Sequence, residues 1–251
     1  MQKDLIIYMA THNQKCSHID DYIIPIQVGK DLNNKKIEEI TDNTGDNISF
    51  KNNNFCELTA LYWIWKNTNS KYVGLCHYRR RFKVIKKEIL LCLKKEQVIV
   101  PIPKYFRMSV KEQYVKEHDK NEWNIMLEVL KEKVPEYYSS SKIIFKNNKL
   151  YSYNMFIGSR KFMNEYCEWL FQILFEVEKR VEKVVKNNYQ IRYIGFLAER
   201  LFTLYIFHNK LIVNEKKVLF NNKIIWTESP KRILNNRIFR IKHKIEGEVY
   251  E

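Results

Sequence analysis

At 251 residues, 45% hydrophobic and 14% aromatic, the chain is too apolar for a disordered protein and long enough to bury one substantial α/β core. Its net charge of +15 calls for anionic partners, but no finger, ribbon or helix-turn-helix pattern accompanies the charge and the lysines are scattered, so phosphorylated substrates or anionic lipid are expected and nucleic acid is not. The 5 cysteines form no Cys-x-x-Cys pair and no apolar run approaches ~18 residues, so a reduced, cytoplasmic chain without zinc module, signal peptide or membrane span is expected.

In chain order, residues 5–10 read as a buried strand whose tip is Thr11-His12-Asn13, and 22–28 as a second apolar stretch. Residues 42–45 form a turn. A polar, Asn-rich loop then feeds a helix in which Leu58, Leu61, Tyr62 and Trp65 share one face. Glu57 stands at its start, where backbone donors collect and polar ligands bind. Residues 72–76 are an apolar strand that releases His77-Tyr78-Arg79-Arg80-Arg81 at the end where an open α/β sheet places its ligand. Three consecutive arginines are forked, permanent donors suited to phosphate oxygens, and a diphosphate is the ligand they indicate; a solvated basic turn is the other reading.

Residues 84–95 read as a helix and 97–100 as a short strand stopped by Pro101 and Pro103. Helices follow over 109–118 and 122–134, the second closed by Pro135, then a strand over 151–158. A long amphipathic helix over 161–185 and another over 194–207 complete the core. Trp63, Trp65 and Trp169 read as core, and His18 and His208 as surface. From Ser229 the composition shifts. Lys231, Arg232, Arg237, Arg240, Lys242 and Lys244 alternate with Ile233, Leu234, Ile238, Phe239, Ile241 and Ile245. A single domain over 1–228 is thus expected to carry a basic amphipathic tail over 229–251, either lying on an anionic membrane surface or packed on the domain.

Several short segments together resemble one family. They are Tyr8-Met9-Ala10-Thr11-His12, Ile24-Pro25-Ile26-Gln27-Val28-Gly29, Thr44-Gly45-Asp46-Asn47-Ile48-Ser49, Glu57-Leu58-Thr59-Ala60-Leu61-Tyr62-Trp63, His77-Tyr78-Arg79-Arg80, Tyr153-Asn154-Met155-Phe156 and Gly195-Phe196-Leu197-Ala198-Glu199-Arg200-Leu201. The family is the bacterial capsular and exopolysaccharide family labelled domain of unknown function 4422, and the likeness runs over about residues 5 to 215. It implies a glycosyltransferase with a GT-A-like fold, an open mixed sheet flanked by helices. The activity it implies is galactofuranose transfer from a uridine-diphosphate (UDP) sugar, with no separate cofactor, to a glycan or lipid-diphosphate-linked acceptor in cell-surface polysaccharide synthesis. The donor contacts are then Thr11, His12, Asp46, Asn47, Glu57, His77, Tyr78, Arg79 and Arg80, and the acceptor contacts Tyr153, Asn154 and Arg200. Many GT-A enzymes carry a metal-holding Asp-x-Asp pair at the strand tip. Here the tip is basic, so no metal is expected.

Glycosyl transfer with inversion needs a carboxylate on the acceptor hydroxyl and positive charge on the departing diphosphate. The arginine tip meets the second need. Candidates for the base are Glu199, an acid among apolar neighbours whose other reading is an ion pair with Arg200 or Arg192; Asp119, whose other reading is a helix cap or acceptor-loop residue; and Asp46, whose place in a Gly-Asp-Asn turn points to the nucleotide instead. Two rival readings of the chain stay open, transfer of a pyranosyl sugar and a non-catalytic binder of anionic polysaccharide or nucleic acid.

Overall fold

The structure is a computed structural model that describes residues 4–12, 20–182, 187–221, 223–224 and 229–245. Asn13 and His18 lie outside them. The first half carries β1 (Leu5–Thr11), β2 (Ile23–Gln27), α1 (Asn52–Phe55), α2 (Leu58–Asn67), β3 (Tyr72–His77), β4 (Arg80–Phe82), α3 (Lys86–Lys94), β5 (Val98–Pro101), β6 (Lys104–Tyr105) and α4 (Val110–Glu117). There follow α5 (Lys120–Lys133), α6 (Pro135–Ile144), β7 (Lys149–Leu150), β8 (Phe156–Ser159), α7 (Arg160–Arg180), α8 (Tyr193–His208), β9 (Val213–Lys216), β10 (Val218–Phe220), β11 (Lys223–Ile224) and α9 (Ser229–Ile245).

The large sheet is mixed. β1 lies between β2 and β3, parallel to both. β8 is antiparallel to β3 and to β5, and β9 is parallel to β5. Because the chain passes from β1 to a neighbour on one side and then to β3 on the other, the connections leaving β1 and β3 part company and open a crevice at their carboxyl ends. That switch point is where open α/β sheets bind ligands.

Alternation along the strands builds two cores. Tyr8, Ala10, Val73, Leu75, Val98, Val100 and Phe156 face the layer of α2, α5, α7 and α8, whereas Leu5, Ile7, Met9, Cys76, Ile99 and Ile157 face α3. Gly74 lies where β3 and β8 approach closely: a Cβ there would stand 2.8 Å from the Phe156 carbonyl and 2.9 Å from an Ile157 side-chain carbon. Gly74→Ala should therefore cost about 1–3 kcal/mol by overpacking. An unchanged urea midpoint would show that the two strands separate freely.

Several elements differ from the sequence expectation. Pro135 opens α6 at its first position, where the missing N–H costs nothing, as well as ending α5. The strand expected over 151–158 is shortened to β8, because Tyr153 (φ 80°) and Asn154 (φ 49°) turn the chain into the left-handed region before it. The helix expected to reach 185 ends at Arg180. His208 is no surface histidine: its ring stacks on Tyr137 at 3.8 Å and its Nδ1 is 2.8 Å from Ser140 Oγ. Trp169 is buried, as expected, while Trp63 and Trp65 are half-buried on the rim of α2. The tail helix α9 is held on the domain: Asn235 Nδ2 donates to the Tyr105 carbonyl at 3.0 Å and Phe239 is buried.

Candidate functional site

The switch point holds a cleft of about 570 Å³. Ala10 and His12 enter it from the end of β1, Val28 from just past β2, and His77, Tyr78, Arg79 and Arg80 from the end of β3. Asn52, Asn53, Cys56 and Glu57 come from the α1–α2 junction, and Asn188, Ile191 and Arg192 from the segment before α8. His77 and Arg80 pair across a hairpin whose turn is Tyr78-Arg79. From Arg80 the chain is a strand, so successive side chains alternate in direction. Arg80 lines the cleft, and Arg81 lines a separate, smaller pocket of about 250 Å³ with Ile7, Tyr22 and Cys76. The arginine run is thus divided between two faces. Arg192, from a distant part of the chain, restores a third guanidinium to the cleft.

The protons in this cleft are set by burial and by those cations. His77 Nε2 lies 2.8 Å from the Tyr153 carbonyl, which can only accept, so Nε2 carries the hydrogen and Nδ1 keeps a lone pair in the neutral ring. Burial lowers the His77 pKa, with Glu57 opposing and Arg80 reinforcing it. Burial lowers His12 as well, aided by Arg79 and Arg192. Both imidazoles are therefore neutral at neutral pH, and the cleft's positive charge is carried by guanidinium groups. Burial, reinforced by Glu57, pushes the Cys56 thiol up to about 12 despite Arg192, whose Nε donates to its sulfur at 3.1 Å. A thiol so held is no nucleophile at neutral pH.

One wall rests on a strained turn. Tyr153 and Asn154 occupy consecutive left-handed conformations, which cost of order 1 kcal/mol or more each for non-glycine residues and persist only where contacts over-determine them. Here they do. Tyr153 N–H donates to Glu199 Oε1 at 2.6 Å, and Asn154 Nδ2 donates to Glu57 Oε1 at 2.8 Å and to the Gly195 carbonyl at 3.1 Å. Two cations lie over the Tyr153 ring, Arg80 Cζ and Lys104 Nζ, both 4.8 Å from its centroid. Desolvation lowers the Lys104 pKa, with Glu199 opposing and Arg200 and Arg80 adding to it. Arg80 Nε and Asn154 Oδ1 are buried and have no hydrogen-bond partner among the described residues, so the site holds polar capacity that those residues do not use.

Of the residues expected at a site, the fold gathers His12, Glu57, His77, Tyr78, Arg79 and Arg80 around the cleft and sets Tyr153 and Asn154 against its base. Thr11 is fully buried behind His12, its carbonyl accepting from Val28 N–H. Glu199 reaches the site through the turn it holds, its other oxygen taking a hydrogen bond from Arg200 at 3.1 Å. Arg200 is buried beneath, bonded also to Gln113 and the Phe196 carbonyl.

Three expected residues are not brought there. Asp46 accepts from Tyr62 Oη, and Asn67, the last residue of α2, bonds the Asp46 backbone; Asn47 braces the same turn through the Gly45 carbonyl. This places them at the end of α2 opposite Glu57. Asp119 is exposed and caps α5, accepting from Asn121 N–H at 2.8 Å. Arg192 as a cleft cation, Asn188 and Lys104 were not anticipated, and no local pattern marks them. Among the described residues no three His, Cys, Asp or Glu side chains are placed to hold a metal ion.

A family model described as domain of unknown function DUF4422 matches residues 6–210. Among solved structures, the chain superposes on the apo structure of the bifunctional glycosyltransferase WbbM with a TM-score of 0.77 and 27% identity. The match covers 90% of this chain and 46% of that one, so the chain spans about half the length of its structural relative. No curated protein matches. The mixed sheet with flanking helices is therefore a GT-A-like fold.

Proposed function

Because this chain belongs to the DUF4422 family, with a fold shared by WbbM, we propose that it is a glycosyltransferase taking its donor as a nucleoside-diphosphate sugar. The observation that carries the proposal is the convergence of Arg79, Arg80 and Arg192 on one cleft at the switch point of the sheet. Guanidinium forks match phosphate oxygens, and Arg80 Nε is already desolvated and without a partner among the described residues. The donor in this proposal is a UDP-sugar and the transferred unit galactofuranose, in the synthesis of a cell-surface polysaccharide, a reading that the family resemblance supports.

In the proposed reaction an acceptor hydroxyl attacks the anomeric carbon while the bond from that carbon to the diphosphate oxygen breaks, and the configuration inverts. The electron pair leaves with the diphosphate, whose charge the arginines meet. The hydroxyl proton goes to Glu57. Among the described residues Glu57 is the one carboxylate lining the cleft, and Asn154 orients it. Glu199, bonded to the Tyr153 N–H and to Arg200, supports the turn on which the acceptor side is built. His77, held neutral with its Nε2 hydrogen committed to Tyr153, can accept a hydrogen bond at Nδ1 but adds no charge.

The test is thermal. A ligand that binds only the folded state raises its stability by RT ln(1 + [L]/Kd), about 2.7 kcal/mol at a hundredfold excess over Kd. UDP and UDP-galactofuranose should each raise the melting temperature by several degrees, and the sugar donor should be consumed when a glycan acceptor is added. Transfer should continue undiminished in EDTA. A shift given by no nucleoside diphosphate, or binding without transfer or hydrolysis, would make the chain something other than this enzyme.

A further inference from the structure

We infer that α9 docks this protein onto an anionic lipid bilayer. The helix has two distinct apolar sets. Phe239, 2% exposed, and Asn235 one turn before it anchor α9 on the domain, Asn235 bonding both the Tyr105 carbonyl and Arg107 Nε. Leu234, Ile238 and Ile241, spaced i, i+4, i+7, form a second stripe centred roughly 110° round the helix from the anchor. They are 51%, 39% and 60% exposed. A helix already anchored by one face has no need of a second apolar stripe in water.

Charge identifies the occupant. On the helical wheel Arg237 and Lys244 run along one side of this stripe and Lys231 and Lys242 along the other; all are exposed, and none forms an ion pair with a described carboxylate. An apolar stripe between two basic rows is the pattern of a helix lying in the plane of a membrane interface, with the long side chains reaching up to the lipid phosphates. Lys231 also joins Arg107 and Lys116, with Glu117 beside them, around an adjoining notch of about 420 Å³, so a net basic surface continues beyond the helix. No helix among the described residues, α9 included, is long and apolar enough to cross a membrane, so α9 would lie along the bilayer surface and not across it.

The anchored face of α9 is linked to the site. Tyr105 receives the anchoring hydrogen bond from α9, while its neighbour Lys104 lies over the Tyr153 ring. The helix is thus connected through the two residues of β6 to the Tyr153 turn beside the cleft, although the docking itself does not rest on which reaction the cleft performs.

Co-sedimentation of the full chain with vesicles of phosphatidylcholine, with and without phosphatidylglycerol, tests the inference. Binding is expected to the phosphatidylglycerol vesicles and should weaken as salt rises. Ile238→Asp with Ile241→Asp should reduce it about tenfold or more by abolishing insertion. Arg237→Ala with Lys244→Ala should reduce it about fivefold per residue, from roughly 1 kcal/mol for each basic group at the surface. Both double variants should melt as the wild type does, since the altered side chains are exposed. Equal binding by wild type and both variants, or none to either vesicle, overturns the inference. Early melting of the Ile238→Asp, Ile241→Asp chain would show the stripe packed against protein, and a dimer in solution that this variant abolishes would make a second copy the occupant; either also overturns it.

Discussion

Glu57→Gln should lower turnover by about a hundredfold to ten-thousandfold while leaving donor affinity and melting temperature near wild type. The asymmetry comes from the contact Glu57 makes. Its Oε1 accepts from Asn154 Nδ2, and a glutamine carbonyl oxygen can accept that hydrogen bond, so the Tyr153–Asn154 turn keeps its brace. What is lost is the capacity to take a proton. Glu199→Gln should behave differently. It can still accept from the Tyr153 N–H, but it leaves the buried Arg200 without its carboxylate, and removing one partner of a buried ion pair costs up to about 3–5 kcal/mol. Turnover and stability should fall together in that variant. Should Glu199→Gln instead abolish turnover with melting temperature and donor affinity intact, while Glu57→Gln stays active, the base is Glu199 and Glu57 belongs to the donor. Asp119→Asn should leave turnover unchanged, because the residue caps α5 away from the cleft.

The part of this site that could be read from the sequence is the part encoded locally. An apolar run followed at once by His77-Tyr78-Arg79-Arg80 marks a buried strand and its tip, and β1, β3 and the cleft are found there. What could not be read depends on chain direction or on distance. The turn at Asp46-Asn47 has the composition of a ligand loop, but which end of α2 it meets is decided by Trp63 and Asn67, whose side chains bond Thr44 and Asp46. Residues 151–155 look like the start of a strand because nothing in Tyr-Ser-Tyr-Asn-Met announces two left-handed residues; that conformation is imposed by Glu199, Glu57 and Gly195. β9 and β10 were missed since Val-Asn-Glu-Lys and Val-Leu-Phe are too short to show a period, and their pairing with β5 and β4 is wholly non-local. Arg192 and Lys104 carry no signal at all, being ordinary basic residues in a chain of 44 lysines and arginines.

Arg80→Ala should lower kcat/KM by about a hundredfold or more, and Arg79→Ala by about tenfold. Both guanidinium groups line the cleft, but their surroundings differ. Arg79 is exposed, with its Cζ 4.9 Å from the Tyr78 ring, and solvent screens it until a ligand closes over it. Arg80 lies against Tyr153 and Phe220, its Cζ 4.8 and 5.3 Å from their centroids, and its buried Nε has no partner among the described residues. A donor held in low dielectric and aimed before the substrate arrives stabilises the departing diphosphate more than one that must first be ordered. Arg80→Lys should recover little of the loss, because an ammonium neither stacks on Tyr153 as a plane nor offers a fork to two oxygens. Removing Arg80 deletes a buried Nε that has no partner among the described residues but also its contacts with the Tyr153 and Phe220 rings, so the apo form should melt close to wild type while its stabilisation by UDP shrinks. That combination separates a ligand contact from a structural one. Loss of apo stability together with activity would make Arg80 a packing residue, and wild-type kinetics in the Arg79→Ala, Arg80→Ala double variant would remove the diphosphate from this cleft.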